Sequence, residues 1–228
     1  YGDMHMGNCA EVLAKEENYS REEQDSFAVE SYRRSVDAIE KGYFNDEITP
    51  VEIPQRKGDP VIVDTDEEPG RGKPEKIANL RTAFEKDGTI TAANASSIND
   101  GAAALVVISA EKAAELNSDP ICKIVAQTSA AHEPLYFTTA PGKAITKVLD
   151  KAGLTINEID LFEINEAFSN VTMAAMREHD IPHEKVNIFG GAVSMGHPIG
   201  ASGARILVTL IAALKQKNQR LGLATLCI

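Results

Sequence analysis

The chain has 228 residues, enough for one large or two modest domains with real cores, and its 43% hydrophobic and 25% charged content is ordinary for a globular protein. Lys and Arg number 23 against 34 Asp and Glu, a net charge of −11, which argues against a nucleic-acid partner because such a partner needs a basic face. No run of about 18 apolar residues is present, and three cysteines make no disulfide framework, so neither a membrane span nor an oxidising compartment is expected.

Along the chain, residues 20–41 read as a helix opened by a Ser20/Glu23 capping box and stopped by Gly42. Residues 45–75 are charged and rich in Pro and Gly, an irregular excursion interrupted at most by short strands at 51–53 and 61–63. "TITAANASSINDGAAALVVIS" gives a small-residue turn, an Ala-rich element and a strand at 105–108. After "NSDP" the pattern becomes regular. A helix at 141–152 ends at Gly153, a strand at 159–164 leads to a helix at 167–178, and a strand at 186–189 leads to a helix at 202–217. That last helix carries Ile206, Leu207, Leu210, Ile211 and Leu214 at helical spacing, and a strand at 223–228 follows. Helices alternating with apolar strands predict an α/β layered fold.

Three turns follow strand ends: "NEAF" with Asn165 and Glu166, "GGAVSMGHPIGASG" with His197, and the final strand with Cys227. Open α/β sheets bind ligands outside the carboxyl ends of their strands, so a thiol, an imidazole and a carboxamide could share one cleft. A thiol beside an imidazole exchanges protons near neutral pH, and a carboxamide donates to a developing oxyanion. Acyl transfer or carbon–carbon chemistry on a thioester fits these parts. The residues alone leave other readings open: a cysteine filling core, a histidine serving a Gly-rich turn, and "NEAF" as a plain helix start. "GHPIGASG" has neither the Walker A lysine nor the dinucleotide-binding spacing.

"NEAF" (165–168), "GGAVSMGHPIGASGARI" (190–206) and "GLATLCI" (222–228) resemble the signatures of the thiolase family. "HMGNCAE" (5–11), "SREEQDSFAVES" (20–31) and "GTITAANASSINDGAAAL" (88–105) resemble the middle of the same enzymes. The resemblance runs through the whole chain in order, and the biosynthetic branch, the acetyl-CoA acetyltransferases, matches best. It implies a thiolase-like layered α-β-α fold, incomplete at both ends. The divisions would be a loop domain at 1–88, the tail of an N-terminal domain at 89–117 and most of a C-terminal domain at 118–228.

The resemblance also implies roles. His197 would activate the nucleophilic cysteine and help form an oxyanion hole, Asn165 would hold the water completing that hole, and Cys227 would act as acid and base on the incoming acetyl-CoA methyl group. Coenzyme A contacts map onto His5, Met6, Arg71, Ser96, Ile98, Ala167 and Phe168. Some members bind potassium near Ala92, Ala93, Ala95 and Val193, but their helping tyrosine is Pro69 here. Potassium is therefore left open and no metal ligand is assigned, and no cofactor besides the CoA of the substrate is expected. Phe137 is followed by Thr138 where one mitochondrial subgroup has proline, which leaves acyl preference open. The implied partners are acetyl-CoA and acetoacetyl-CoA within a homotetramer, with no nucleic acid and no membrane. The implied place is the cytoplasm, or alternatively the mitochondrial matrix. The family carries its nucleophile ahead of "HMG" and a Gly-rich turn after the last cysteine, so the chain is expected to be a piece, inactive alone, with strand 105–108 left as an exposed edge. Cys9 and Cys122 have no motif role and are read as structural.

Overall fold

The computed structural model describes residues 4–227, so the first three residues of the expected loop domain and the last of the expected final strand lie outside the described residues. The first helix, α1 (Met6–Glu16), has no counterpart in the sequence reading. Its N-cap is His5, whose Nδ1 accepts from the Gly7 N–H while its own N–H donates to Asn8 Oδ1. A histidine thus does the work usually given to Ser or Asp. Helix α2 (Arg21–Glu40) starts on the expected Ser20/Glu23 box and ends before Gly42, which turns with φ +69°. It buries Phe27, Ala28, Ser31, Tyr32, Ser35 and Ala38 along one face.

The excursion carries an antiparallel hairpin of β1 (Val51–Ile53) and β2 (Val61–Val63), with Val51 opposite Val63. Every residue of both strands is exposed, so the hairpin lies off the core. Two short helices follow, α3 (Glu68–Arg71) and α4 (Ala110–Glu115), separated by turns and extended chain.

The core is a sheet between two helical layers. β3 (Leu161–Ile164) pairs in parallel with β4 (Gly222–Thr225), Leu161 opposite Gly222 and Ile164 opposite Thr225. Side chains alternate across the pleat. Phe162, Ile164 and Leu223 pack on one face against Ile145 and Leu149 of α5 (Ala140–Ala152) and Ala175 of α6 (Ser169–Glu178). Leu161 and Ala224 face the other way, against Leu210 and Ala213 of α8 (Ser202–Gln216), Ala38 of α2 and Met195 of α7 (Ala192–Met195). This is the layered α/β arrangement expected. The buried stripe of α8 is Ser202, Ile206, Thr209, Leu210 and Ala213, whereas Leu207, counted on the apolar face from spacing, is exposed.

Two expected strands are absent. Residues 105–108 belong to no strand or helix, with Val106 93% exposed. A strand exists only through a neighbour's ladder, and no such neighbour is found among the described residues. Residues 186–189 keep a single bridge, Val186 to Phe162. The next residue, Asn187, turns to φ +46° and replaces the ladder with its side chain. Its Oδ1 accepts from the Ile164 N–H and its Nδ2 donates to the Ile164 carbonyl, both at 2.8 Å. The carboxamide imitates the peptide unit a third strand would have offered.

Candidate active site

Asn165 and Cys227 both lie just past the carboxyl ends of the paired strands. The ladder continues as the Asn165 N–H donates to the Thr225 carbonyl at 3.0 Å. Cys227 is buried and packs with Ala10, Ile90, Ala95, Ala167, Phe168 and Val171, with Phe84 and Phe137 at the margin. His197 arrives on the glycine-rich turn between α7 and α8. Its N–H donates to the Ser97 carbonyl at 2.9 Å, and its Nε2 lies 3.5 Å from Asn165 Nδ2. The structure therefore joins Asn165 to His197 directly and sets Cys227 beside the same loop through Ala167. No hydrogen bond links Cys227 to His197 among the described residues.

The turn carrying His197 is held from beneath. Buried Glu166 accepts from Ser31 Oγ at 2.7 Å, from Asn187 Nδ2 at 2.8 Å and from the Val193 N–H at 3.1 Å. Burial pushes the Glu166 carboxyl upward, against the pull of those donors. The Gly191 N–H donates to Ser31 Oγ at 3.1 Å, which ties the turn to α2. Gly190 is required here: its φ is +82°, and a Cβ would lie 2.7 Å from the Ser31 carbonyl oxygen.

Ser96 stitches the site from the other side. Its N–H and Oγ both donate to the Ala167 carbonyl, at 3.1 and 2.9 Å, and Ala95 bridges to Phe168. Ile98 bridges to His197 and is 86% exposed, at the mouth of the site. Exposed His5 stacks on Phe84 at 4.9 Å, and Phe84 meets Phe168 edge-on at 6.1 Å. His5 and Phe168 thus both meet Phe84, Ser96 joins Ala167 and Ile98 joins His197, while Met6 is exposed. Arg71 stands apart: its exposed guanidinium pairs at 3.1 Å with Glu67, the residue before α3, and no hydrogen bond or ion pair among the described residues joins it to the other six. Sequence reasoning missed Phe84, Ser97 and Ser202, whose contributions depend on contacts distant in sequence or on side-chain direction.

Burial, and then the charge of Arg205, hold the His197 imidazole below its ordinary value, so at neutral pH it is an uncharged base. Burial pushes the Cys227 thiol up to about 11, so it stands protonated. Alkylation needs the thiolate. Exposed Cys122 is therefore expected to react with iodoacetamide at neutral pH, while buried Cys227 stays unmodified until the chain unfolds. In the folded protein the Cys227 rate should climb about tenfold per pH unit toward that raised value. Peptide mass spectrometry after timed labelling reads both results, and rapid labelling of Cys227 near neutrality would contradict the burial.

Two family descriptions match the chain: the thiolase N-terminal domain over residues 1–111 and the thiolase C-terminal domain over residues 118–228. The chain belongs to the thiolase family. This thiolase chain is 52% identical over 227 residues to an acetyl-CoA acetyltransferase of Yarrowia lipolytica, covering 100% of its own length and 56% of that protein. The crystal structure of the Bacillus anthracis acetyl-CoA acetyltransferase matches it with a TM-score of 0.94 at 43% identity, over 99% of this chain and 57% of that one. The Acat5 thiolase of Ascaris suum, solved in complex with coenzyme A, matches with a TM-score of 0.88, also at 43% identity, over 98% of this chain and 57% of that one. The thiolase chain therefore spans a little over half the length of these relatives. None of its described helices is long and apolar enough to cross a membrane.

Proposed function

We propose that this chain supplies the histidine, asparagine and acid–base cysteine of an acetyl-CoA acetyltransferase, which joins two acetyl-CoA into acetoacetyl-CoA and free CoA and runs the same reaction in reverse. The observation that carries this is the meeting of Asn165 and His197 at 3.5 Å beside the carboxyl ends of two parallel strands, with Cys227 just past the end of the neighbouring strand. The names of the relatives support the reaction.

On this reading the acylated nucleophile is a cysteine outside the chain. Cys9 is buried on α1 and Cys122 is exposed, and neither belongs to the cluster around Cys227. His197, uncharged at rest, takes the nucleophile's proton at Nε2. It then donates that proton as a hydrogen bond to the thioester oxygen, alongside a water held by Asn165. The protonated Cys227 thiol suits the thiolysis direction, in which it returns a proton to the carbon of the departing acetyl-CoA enolate. In condensation the thiolate removes that proton.

The Ascaris suum relative, solved in complex with coenzyme A, supports CoA as a ligand of this chain, and the track proposed for it runs along His5, Met6, Ser96, Ile98, Ala167 and Phe168. Arg71 would join it only by leaving Glu67. CoA arrives with the substrate, and no resident cofactor is proposed. A homotetramer is supported by the apolar side chains that the β1–β2 hairpin leaves exposed, which are suited to burial against other copies. Three free cysteines suit the cytoplasm.

The test is thiolysis of acetoacetyl-CoA by CoA, followed by loss of the substrate's absorbance. The 228-residue chain alone is expected to show none, and a natural polypeptide of the relatives' length is expected to turn over. Intact mass shows which of the two is in hand. Turnover by the short chain would remove the need for an outside nucleophile. A long polypeptide that prefers longer 3-ketoacyl-CoA would belong to the degradative branch, and one that binds CoA without turnover would be an assembly or carrier protein.

A further inference from the structure

Ser202, the first residue of α8, is 2% exposed, and its Oγ lies 2.6 Å from His197 Nδ1. It also lies 3.1 Å from the Pro198 carbonyl, a second acceptor within reach of its one proton. The opposite ring nitrogen, Nε2, faces the Nδ2 of Asn165. Which nitrogen of a neutral imidazole carries the proton is set by the partner of the other. A hydroxyl has one proton and two lone pairs. If Ser202 gives its proton to Pro198, its oxygen accepts from Nδ1–H and leaves the lone pair on Nε2, where the Asn165 amide donates. If the Ser202 proton goes to Nδ1 instead, Nε2 carries a hydrogen pointed at the amide hydrogens of Asn165.

We propose that Ser202 is a positioning residue that holds His197 as the Nδ1–H tautomer and so keeps the Nε2 lone pair turned toward the reacting atoms. Its mechanistic meaning rests on the reading of His197 as the base of the proposed function. Once Nε2 has taken a proton, the imidazolium still carries Nδ1–H, and Ser202 Oγ already stands as its acceptor. One nitrogen can then act as base and afterwards as hydrogen-bond donor without any rearrangement at the other. The Pro198 carbonyl also accepts from the Ala201 and Ser202 N–H groups, at 2.7 and 2.9 Å. The competing arrangement, with the hydroxyl proton on Nδ1, is therefore the one the experiment must exclude.

The experiment is a proton–nitrogen correlation spectrum of the histidine rings in the 228-residue chain, in mildly alkaline buffer where the imidazole is neutral. Comparison with His197→Gln assigns the ring. The expected result is a pyrrole-type resonance at Nδ1 and a pyridine-type resonance at Nε2. Replacing Ser202 by Ala should collapse this into an averaged mixture, and Ser202→Thr should restore it. A proton on Nε2 in the unsubstituted chain overturns the proposal, as does an unchanged tautomer in Ser202→Ala. If Ser202→Ala fails to fold, Ser202→Cys, whose sulfur is a weak acceptor, takes its place. None of these outcomes depends on turnover, so a failure here is separate from a failure of the catalytic reading.

Discussion

Replacing His197 with alanine is expected to lower acetoacetyl-CoA thiolysis by about a thousandfold or more, measured on the longest polypeptide that carries this sequence. Loss of a general base costs about 10²–10⁴ in rate and loss of an oxyanion donor about 10²–10³. The two losses fall on one nitrogen and do not simply multiply. KM for CoA should change little, because the proposed CoA track runs along other side chains. The ring is half-buried and its backbone contact to Ser97 survives the substitution, so the circular dichroism spectrum should be unaltered. Turnover within a few-fold of the unsubstituted enzyme would remove His197 from the chemistry.

Glu166→Ala is expected to show the largest loss of stability. The substitution strands one Asn187 amide hydrogen and the Val193 N–H, both buried, leaves the Ser31 hydroxyl only Ser194 Oγ to turn to, and opens a cavity against Gly191. Each buried donor without a partner costs about 1–3 kcal/mol. The sum should reach about 3 kcal/mol or more, a drop in Tm of about 6–12 °C for a chain of this size. Glu166→Gln keeps one acceptor oxygen and should lose less. A Tm for Glu166→Ala within a degree of the unsubstituted chain would show that the turn bearing His197 is held by something else.

Helices α2, α5, α6 and α8 were legible because their information is local: a Ser20/Glu23 cap, a Gly153 terminus at φ +67°, apolar residues at three- and four-residue spacing. Helix α1 was not, because its cap is a histidine acting through Nδ1. Strand 161–164 was legible because it is buried on both faces. Strands 105–108 and 186–189 were over-read, since an apolar run says nothing about whether a neighbour exists to pair with it.

The site divides along the same line. Asn165 and Cys227 were legible from the strands they follow, and His197 from its glycine-rich motif although the strand expected before it does not form. The Glu166 clamp reaches back to Ser31, 135 positions earlier, and Ser202 acts only through the direction of one hydroxyl. Ser202 follows His197 by five residues in "HPIGAS", a spacing that places a helix-start hydroxyl near the ring, and that was the one signal available.

Asn187 sets a demand on spelling that few positions in the chain make. Its side chain must donate and accept at once, reach one strand spacing and no farther, and grow from a backbone with positive φ. Aspartate lacks the donor, glutamine overshoots, glycine has nothing to offer, and β-branched residues resist the angle. Of the twenty letters, only one meets every condition, whereas the exposed hairpin at 51–63 would accept almost any β-former. Information in this sequence is therefore concentrated where a side chain stands in for main chain, and it is thin where main chain serves itself.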